Sequence, residues 1–134
     1  MFQTRTIQAQ QKGMLAEITE YVKETVRASG IRQGIAVVST PHADAGILCT
    51  SFYDPKGHED IMDDFVRIWP ARDNFHFAGS VVRGAAHGKS ATAGTVMDFI
   101  VEDAELVLGD SQGIFLAEYC EPEERVYQVK VFGS

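Results

Sequence analysis

The strongest constraint on this chain is the strict alternation at its end. Val126, Gln128, Lys130 and Phe132 interleave with Tyr127, Val129 and Val131, and a period of two places these two sets on opposite faces of a β-strand. A strand with one apolar face must belong to a sheet that covers a core. The chain has 134 residues, enough to close one hydrophobic core but not two, so residues 1–134 are expected to form a single domain.

The rest of the chain supplies the partners of that strand. Phe2 to Ala9 alternates as a first strand. Met14, Leu15, Ile18, Val22 and Val26 recur at helical spacing up to Ser29-Gly30, which predicts one amphipathic helix. Gly34–Ser39 and Ala45–Tyr53 read as strands, with His42 and Asp44 in the turn between them. Asp54-Pro55-Lys56-Gly57 is a turn signal, and Ile61, Met62, Phe65, Val66 and Trp69 mark a second helix stopped by Pro70. Residues 71–94, rich in Gly, Ala and Ser, show no sustained periodicity and are expected to be irregular. The segments VMDFIVED, ELVLGD, GIFLAEY and ERVYQVKVFG read as strands. The order predicts an α+β fold, a compact sandwich with a mixed, mostly antiparallel sheet and two main helices, rather than a doubly wound parallel sheet.

Charge and composition exclude several functions. The net charge is −7, and no basic stripe with interleaved aromatics appears, which argues against nucleic-acid binding. Residues 102–134 hold eight acids against Arg125 and Lys130, and solvated turns between strands are the simplest reading of them. No run approaches the roughly 18 apolar residues of a membrane helix. The first residues lack the apolar segment of a signal peptide, so a soluble, cytoplasmic protein without membrane contact is expected. Cys49 and Cys120 have no CxxC partner and read as buried thiols.

Chemistry-bearing residues concentrate at His42, His76 and His87. Imidazole transfers protons near neutral pH and ligates zinc and similar metals. Three converging rings would make either an acid/base site or a metal site, whereas histidines scattered in loops would be structural. No HExxH motif is present, and His58, beside Glu59 and Asp60, reads as exposed and structural. Gly84-Ala85-Ala86-His87-Gly88-Lys89-Ser90 is one residue too short between its glycines for a nucleotide-binding P-loop. Together with Arg72, Arg83 and Lys89 it remains compatible with a general anion site.

The ordered set Gly34-Ile35-Ala36-Val37-Val38, His42-Ala43-Asp44-Ala45, Asp54-Pro55, His76, Ala86-His87-Gly88-Lys89 and Leu108-Gly109-Asp110-Ser111-Gln112-Gly113 resembles the YjbQ-like (secondary thiamine-phosphate synthase) family across almost the whole chain. The resemblance implies a compact α/β sandwich assembled as a homotrimer, with pockets near subunit boundaries. It also implies a transferase that joins a pyrimidine diphosphate to a thiazole phosphate with release of pyrophosphate. Carried onto this chain, His42, His76 and His87 stand on the family's polar site positions as catalytic groups or as ligands of a divalent metal, zinc or magnesium. Lys89 and Gln112 also match.

Departures occur at the family's Thr-Thr, which is Ala43-Asp44 here, at its Asn-Glu, which is Thr50-Ser51, and at its Gly-Thr-Trp-Gln, which is Gly109-Asp110-Ser111-Gln112. Asp44 is therefore a candidate replacement carboxylate, with Asp110 as the other. Ser51, Asp110, Ser111, Gln112 and Lys89 form the candidate substrate-binding set. The implied function is an enzyme acting on a small phosphorylated or anionic metabolite. The alternative is a catalytically silent member that binds a metabolite or a protein partner.

Overall fold

The computed structural model describes residues 2–8, 14–52 and 55–134. Their order is β1 (Phe2–Gln8), β2 (Leu15–Glu17), α1 (Thr19–Ser29), β3 (Gly34–Ser39), β4 (Ala45–Ser51), α2 (Pro55–Ile68), α3 (Val81–Ala93), β5 (Val96–Glu102), β6 (Glu105–Leu106), β7 (Gln112–Glu118) and β8 (Glu124–Gly133). They build an α+β sandwich of two sheets, one ordered β1-β8-β3-β5-β6 and the other β2-β7-β4. Every strand pair among the described residues is antiparallel, so the single mixed, mostly antiparallel sheet expected is instead two antiparallel sheets. No helix among the described residues is long and apolar enough to cross a membrane.

The alternation of β8 does what its pattern demands. Tyr127, Val129 and Val131 are buried, and they join Ala36 and Val38 of β3, Val101 of β5 and Val22 and Val26 of α1. Ile47 of β4 and Ile114 and Leu116 of β7 close the same core from the smaller sheet. The other face of β7 is covered too: Ala117 lies with Tyr119, Cys120, Met62 of α2 and Ala86 of α3 in a second apolar cluster. Because β7 is buried on both faces, its sequence reads as a near-continuous apolar run rather than an alternation.

Two sequence expectations change. Met14 and Leu15 do not extend the first helix, since Leu15–Glu17 pairs with Phe115–Ala117 as an edge strand and α1 begins only at Thr19. The segment 71–94 is not irregular throughout, because Val81–Ala93 forms a third helix. Ser80 caps it, its hydroxyl accepting from the Arg83 N–H at 3.2 Å in the usual N-cap manner. The helix was hidden because its buried face is made of Gly84, Ala85, Ala86, Lys89 and Ser90, small or polar residues that give no apolar period. Ala86 packs with Ala117 of β7, while Gly84 faces the Phe75 ring. The turn signal at Pro55 instead opens α2, where proline suits the first helical position; Tyr53 and Asp54 lie outside the described residues.

The outer face of the larger sheet carries an apolar row. Ile35 faces Phe132 on one side and Ile100 on the other, and the Val107 N–H donates to the Ile100 carbonyl. All four are exposed, Ile100 to 61%.

Candidate functional site

Arg125 is the largest fully buried side chain described, 0% exposed. It sits in the inward phase of β8, two residues before Tyr127, where the pattern calls for an apolar group. Burial of a guanidinium is tolerated only with a full set of acceptors, and Arg125 has one. Its Nε and Nη2 donate to the two carboxylate oxygens of Glu118 at 2.8 and 2.5 Å. Nη1 donates to Asp44 Oδ1 at 2.7 Å and lies 2.8 Å from Glu123 Oε1. Arg83, reaching in from the first turn of α3, donates to the second oxygen of Asp44 and lies 3.7 Å from Glu123. Three carboxylates and two guanidiniums therefore leave one formal negative charge.

Burial alone would raise the pKa of Asp44, but its hydrogen bond and charge contact with Arg125, then the charge of Arg83, hold it below the usual carboxylate range. For Arg125, desolvation works to lower the pKa, and the hydrogen bonds and charges of Glu118 and Asp44 outweigh it and raise it.

His42 completes the cluster. Its Nε2 accepts from the Val126 N–H at 3.0 Å, which fixes the ring and leaves Nδ1 as the hydrogen-bearing nitrogen of the neutral imidazole. His42, Asp44 and Glu123 each offer one ligand atom, all within 4.8 Å of one another, and a metal ion held by this trio would require the His42 ring to give up its bond from the Val126 N–H. One nitrogen and two carboxylates suit a borderline or hard divalent cation. Such an ion would share Asp44 and Glu123 with the arginines, and Arg83, the exposed member, is the one able to yield.

The three histidines do not make a ligand set within one chain. Among the described residues the metal-competent trio contains His42 alone of the three. His87 lies on α3 one turn beyond Arg83, a spacing that puts both on the same helix face, and its ring meets Phe77 edge-on at 4.9 Å. His76 is exposed in the stretch between α2 and α3. Sequence distance decides this outcome: His42 hangs from the β3–β4 turn, whereas His76 and His87 belong to the helical layer. His58 is half-buried, its Nε2 2.6 Å from the Ser51 carbonyl oxygen and its ring against Phe115.

The candidate substrate residues fall into separate places. Ser51 and Gln112 pair at the far end of β4 and β7, six residues from Ala45 and so about 20 Å along the strand from the His42 end. The Gln112 side-chain carbonyl accepts from the Gly109 N–H at 2.8 Å, and the Ser111 carbonyl accepts from the Phe52 N–H. Asp110 is exposed there, whereas Asp44 is 5% exposed inside the cluster. Lys89 is buried on α3 and engaged within the chain.

The model of the UPF0047 protein YjbQ-like family matches residues 3–134. The chain belongs to this family. A UPF0047 protein of Methanocaldococcus jannaschii is 34% identical over 129 residues, covering 96% of this chain and 91% of the relative. The UPF0047 protein YugU of Bacillus subtilis is 32% identical over 135 residues, covering 99% and 100%. Among solved structures, a protein of unknown function from Sulfolobus solfataricus superposes with a TM-score of 0.93 at 26% identity, covering 100% of this chain and 97% of that one. A YjbQ/UPF0047 protein from Clostridium acetobutylicum gives 0.92 at 29%, covering 97% and 99%. The YjbQ-like fold is thereby placed on this chain, while the cluster around Arg125 comes from its own side chains.

Glu118, Glu123 and Arg125 were missed by the reading of the acidic C-terminal region as solvated turns. The signal was present: Glu118 interrupts the apolar run Ile114–Cys120, and Arg125 shares the phase of Tyr127, Val129 and Val131.

Proposed function

We propose that this YjbQ-like chain is an enzyme acting on a small phosphorylated or anionic metabolite, of the secondary thiamine-phosphate synthase type, with His42 as its acid/base group. The observation that carries the reading is the His42 ring, held by the Val126 N–H beside a largely buried ion network of Asp44, Glu118 and Arg125, joined at its edge by Arg83 and Glu123. Investing a buried ion network beside a rigidly tautomerised imidazole is how a site fixes the position of a proton. Arg83 supplies the positive charge that can turn from Asp44 to an incoming anion. A zinc or magnesium ion, where bound by His42, Asp44 and Glu123, would add Lewis-acid stabilisation of phosphate oxygens.

In the transfer itself, a nitrogen of the thiazole phosphate forms a bond to the methylene carbon of the pyrimidine diphosphate. The bond from that carbon to the bridging oxygen breaks, and pyrophosphate leaves with the electron pair and takes up the proton that His42 carries on Nδ1. Arg83 and Lys89 are the residues suited to that leaving charge. Ser51, Asp110, Ser111 and Gln112, at the opposite end of β4, meet the His42 end of a site only if a neighbouring copy supplies one of the two halves. A homotrimer is the proposed assembly, with the apolar row of the larger sheet as a candidate contact between copies. The protein is taken to work in the cytoplasm, without nucleic-acid or membrane partners.

The deciding assay follows thiamine phosphate and pyrophosphate from the two phosphorylated substrates, with and without zinc or magnesium. Wild-type turnover with loss of at least a hundredfold in His42→Ala supports the reading. Equal rates in the two proteins would end it. Binding of either substrate without product would establish the second reading, a silent member, which the absence of the family's Asn-Glu pair at Thr50-Ser51 favours.

A further inference from the structure

A cavity of about 200 Å3 opens between the end of α2 and α3, walled by Trp69, Arg72, Phe75, Gly84, Ala85 and Gly88. It shares no residue with the cluster around Arg125. Its back is the small-residue face of α3. A Cβ on Gly84 would come within 2.9 Å of the Phe75 ring, and one on Gly88 would lie 3.5 Å from the Trp69 indole. Gly84 thus lets the Phe75 ring lie directly against the helix, and Gly88 leaves the Trp69 indole at no more than ordinary contact distance, so the aromatic walls stand close to the helix backbone.

The walls combine two chemistries. Trp69 and Phe75 supply aromatic surface. The Arg72 guanidinium carbon sits 4.1 Å from the Phe75 ring centroid, a cation–π contact that holds the group flat. Its Nη1 donates to Asn74 Oδ1 at 2.8 Å and to the Asn74 carbonyl at 3.4 Å. Among the described residues these bonds use only Nη1, so the Nε–Nη2 edge remains open as a planar pair of donors. No acidic side chain lines the cavity. An apolar cavity of roughly 150 Å3 admits a benzene ring, so this one holds such a ring with one small substituent.

We propose that the slot between α2 and α3 binds a monocyclic aromatic carboxylate, its ring against Trp69 and Phe75 and its carboxylate on the Nε–Nη2 edge of Arg72. A guanidinium edge matches a planar carboxylate with two parallel hydrogen bonds. A phosphate dianion would call for a second cation, and the walls contain none. The assignment goes beyond the proposed transferase reading and shares none of its residues.

Trp69 is the chain's single tryptophan, so its emission reports this slot alone. Benzoate titrated into the full-length protein should change that emission saturably. Arg72→Gln, at an exposed position, should weaken benzoate at least tenfold while leaving benzyl alcohol binding within twofold of wild type. Gly88→Leu should abolish the response to both ligands without loss of the circular dichroism melt. A response that never saturates would overturn the proposal, as would unaltered benzoate affinity in Arg72→Gln. Tighter binding of phenyl phosphate than of benzoate would overturn the ligand class. Should Gly88→Leu fail to fold, the Arg72→Gln comparison decides alone.

Discussion

Replacing Arg125 by methionine tests the central electrostatic claim most directly. The side chain is 0% exposed and satisfies Glu118 through two hydrogen bonds and Asp44 through a third. Methionine of similar length would leave Glu118, also 0% exposed, and Asp44 buried without their main counter-charge. Breaking a buried pair from one side costs about 3–5 kcal/mol. At roughly 3 °C per kcal/mol for a domain of this size, the melting temperature should fall by about 10–15 °C.

The pH dependence is the sharper measurement. Asp44 in the wild type has a folded pKa below its unfolded value, so its contribution to stability is present above about pH 4 and is lost as pH falls through the folded value. In the variant, protonation instead relieves the stranded carboxylates. Urea melts at fixed protein concentration should therefore show the largest gap between the two proteins near pH 7, narrowing as pH falls toward 4 while the stranded carboxylates protonate, and further below 4 as the wild type loses its Asp44 contribution. A second substitution, Glu118→Gln, should recover part of the loss in the Arg125→Met background. The reasoning is falsified if the gap at pH 7 is under about 1 kcal/mol, or if it is unchanged at pH 3.5.

Three further outcomes follow from local geometry. Asp103 and Ala104 both have positive φ, 51° and 64°, in the two-residue turn joining β5 to β6, where glycine is favoured; Ala104→Gly should stabilise by about 0.5–1 kcal/mol in a denaturant melt, and a loss of stability would contradict the turn assignment. The Tyr119 hydroxyl is buried with no hydrogen-bond partner among the described residues, and burial pushes its pKa up. Tyr119→Phe should accordingly be neutral or up to about 1 kcal/mol more stable, and a cost above that would reveal a partner. Ile100→Glu places a charge in the middle of the exposed apolar row; if the proposed homotrimer packs through that row, sedimentation should show it dissociate, and an unchanged assembly would remove that face as the subunit contact.

Strand β8 was legible because an antiparallel strand with one covered face imposes a period of two, and β7 because burial on both faces makes it a short apolar run; β3 and β5 also fell where their residues predicted. What the residues concealed was α3. Its buried surface of Gly84, Ala85, Ala86, Lys89 and Ser90 consists of small or polar residues rather than an apolar stripe, so periodicity had nothing to register. At the site, His42 and Asp44 were readable as turn residues between two strands. Their partners were not, because Glu118, Glu123 and Arg125 gain meaning only when β7 and β8 bring them to one point. A guanidinium in the inward phase of a strand was the available clue. The histidines illustrate the converse: His76 and His87 resemble His42 in type and setting, yet chain topology assigns them to another layer.

The covering of β7 on both sides has a mechanical consequence. Its amides are shielded by the inter-sheet core below and the helices above, so hydrogen–deuterium exchange there should require global unfolding. Glu118 ends that strand, which anchors one wall of the charge cluster to the slowest-opening segment of the molecule. Arg83 rides on an outer helix instead. Of the two cations on Asp44, Arg125 thus belongs to a core strand and Arg83 to the outer helical layer.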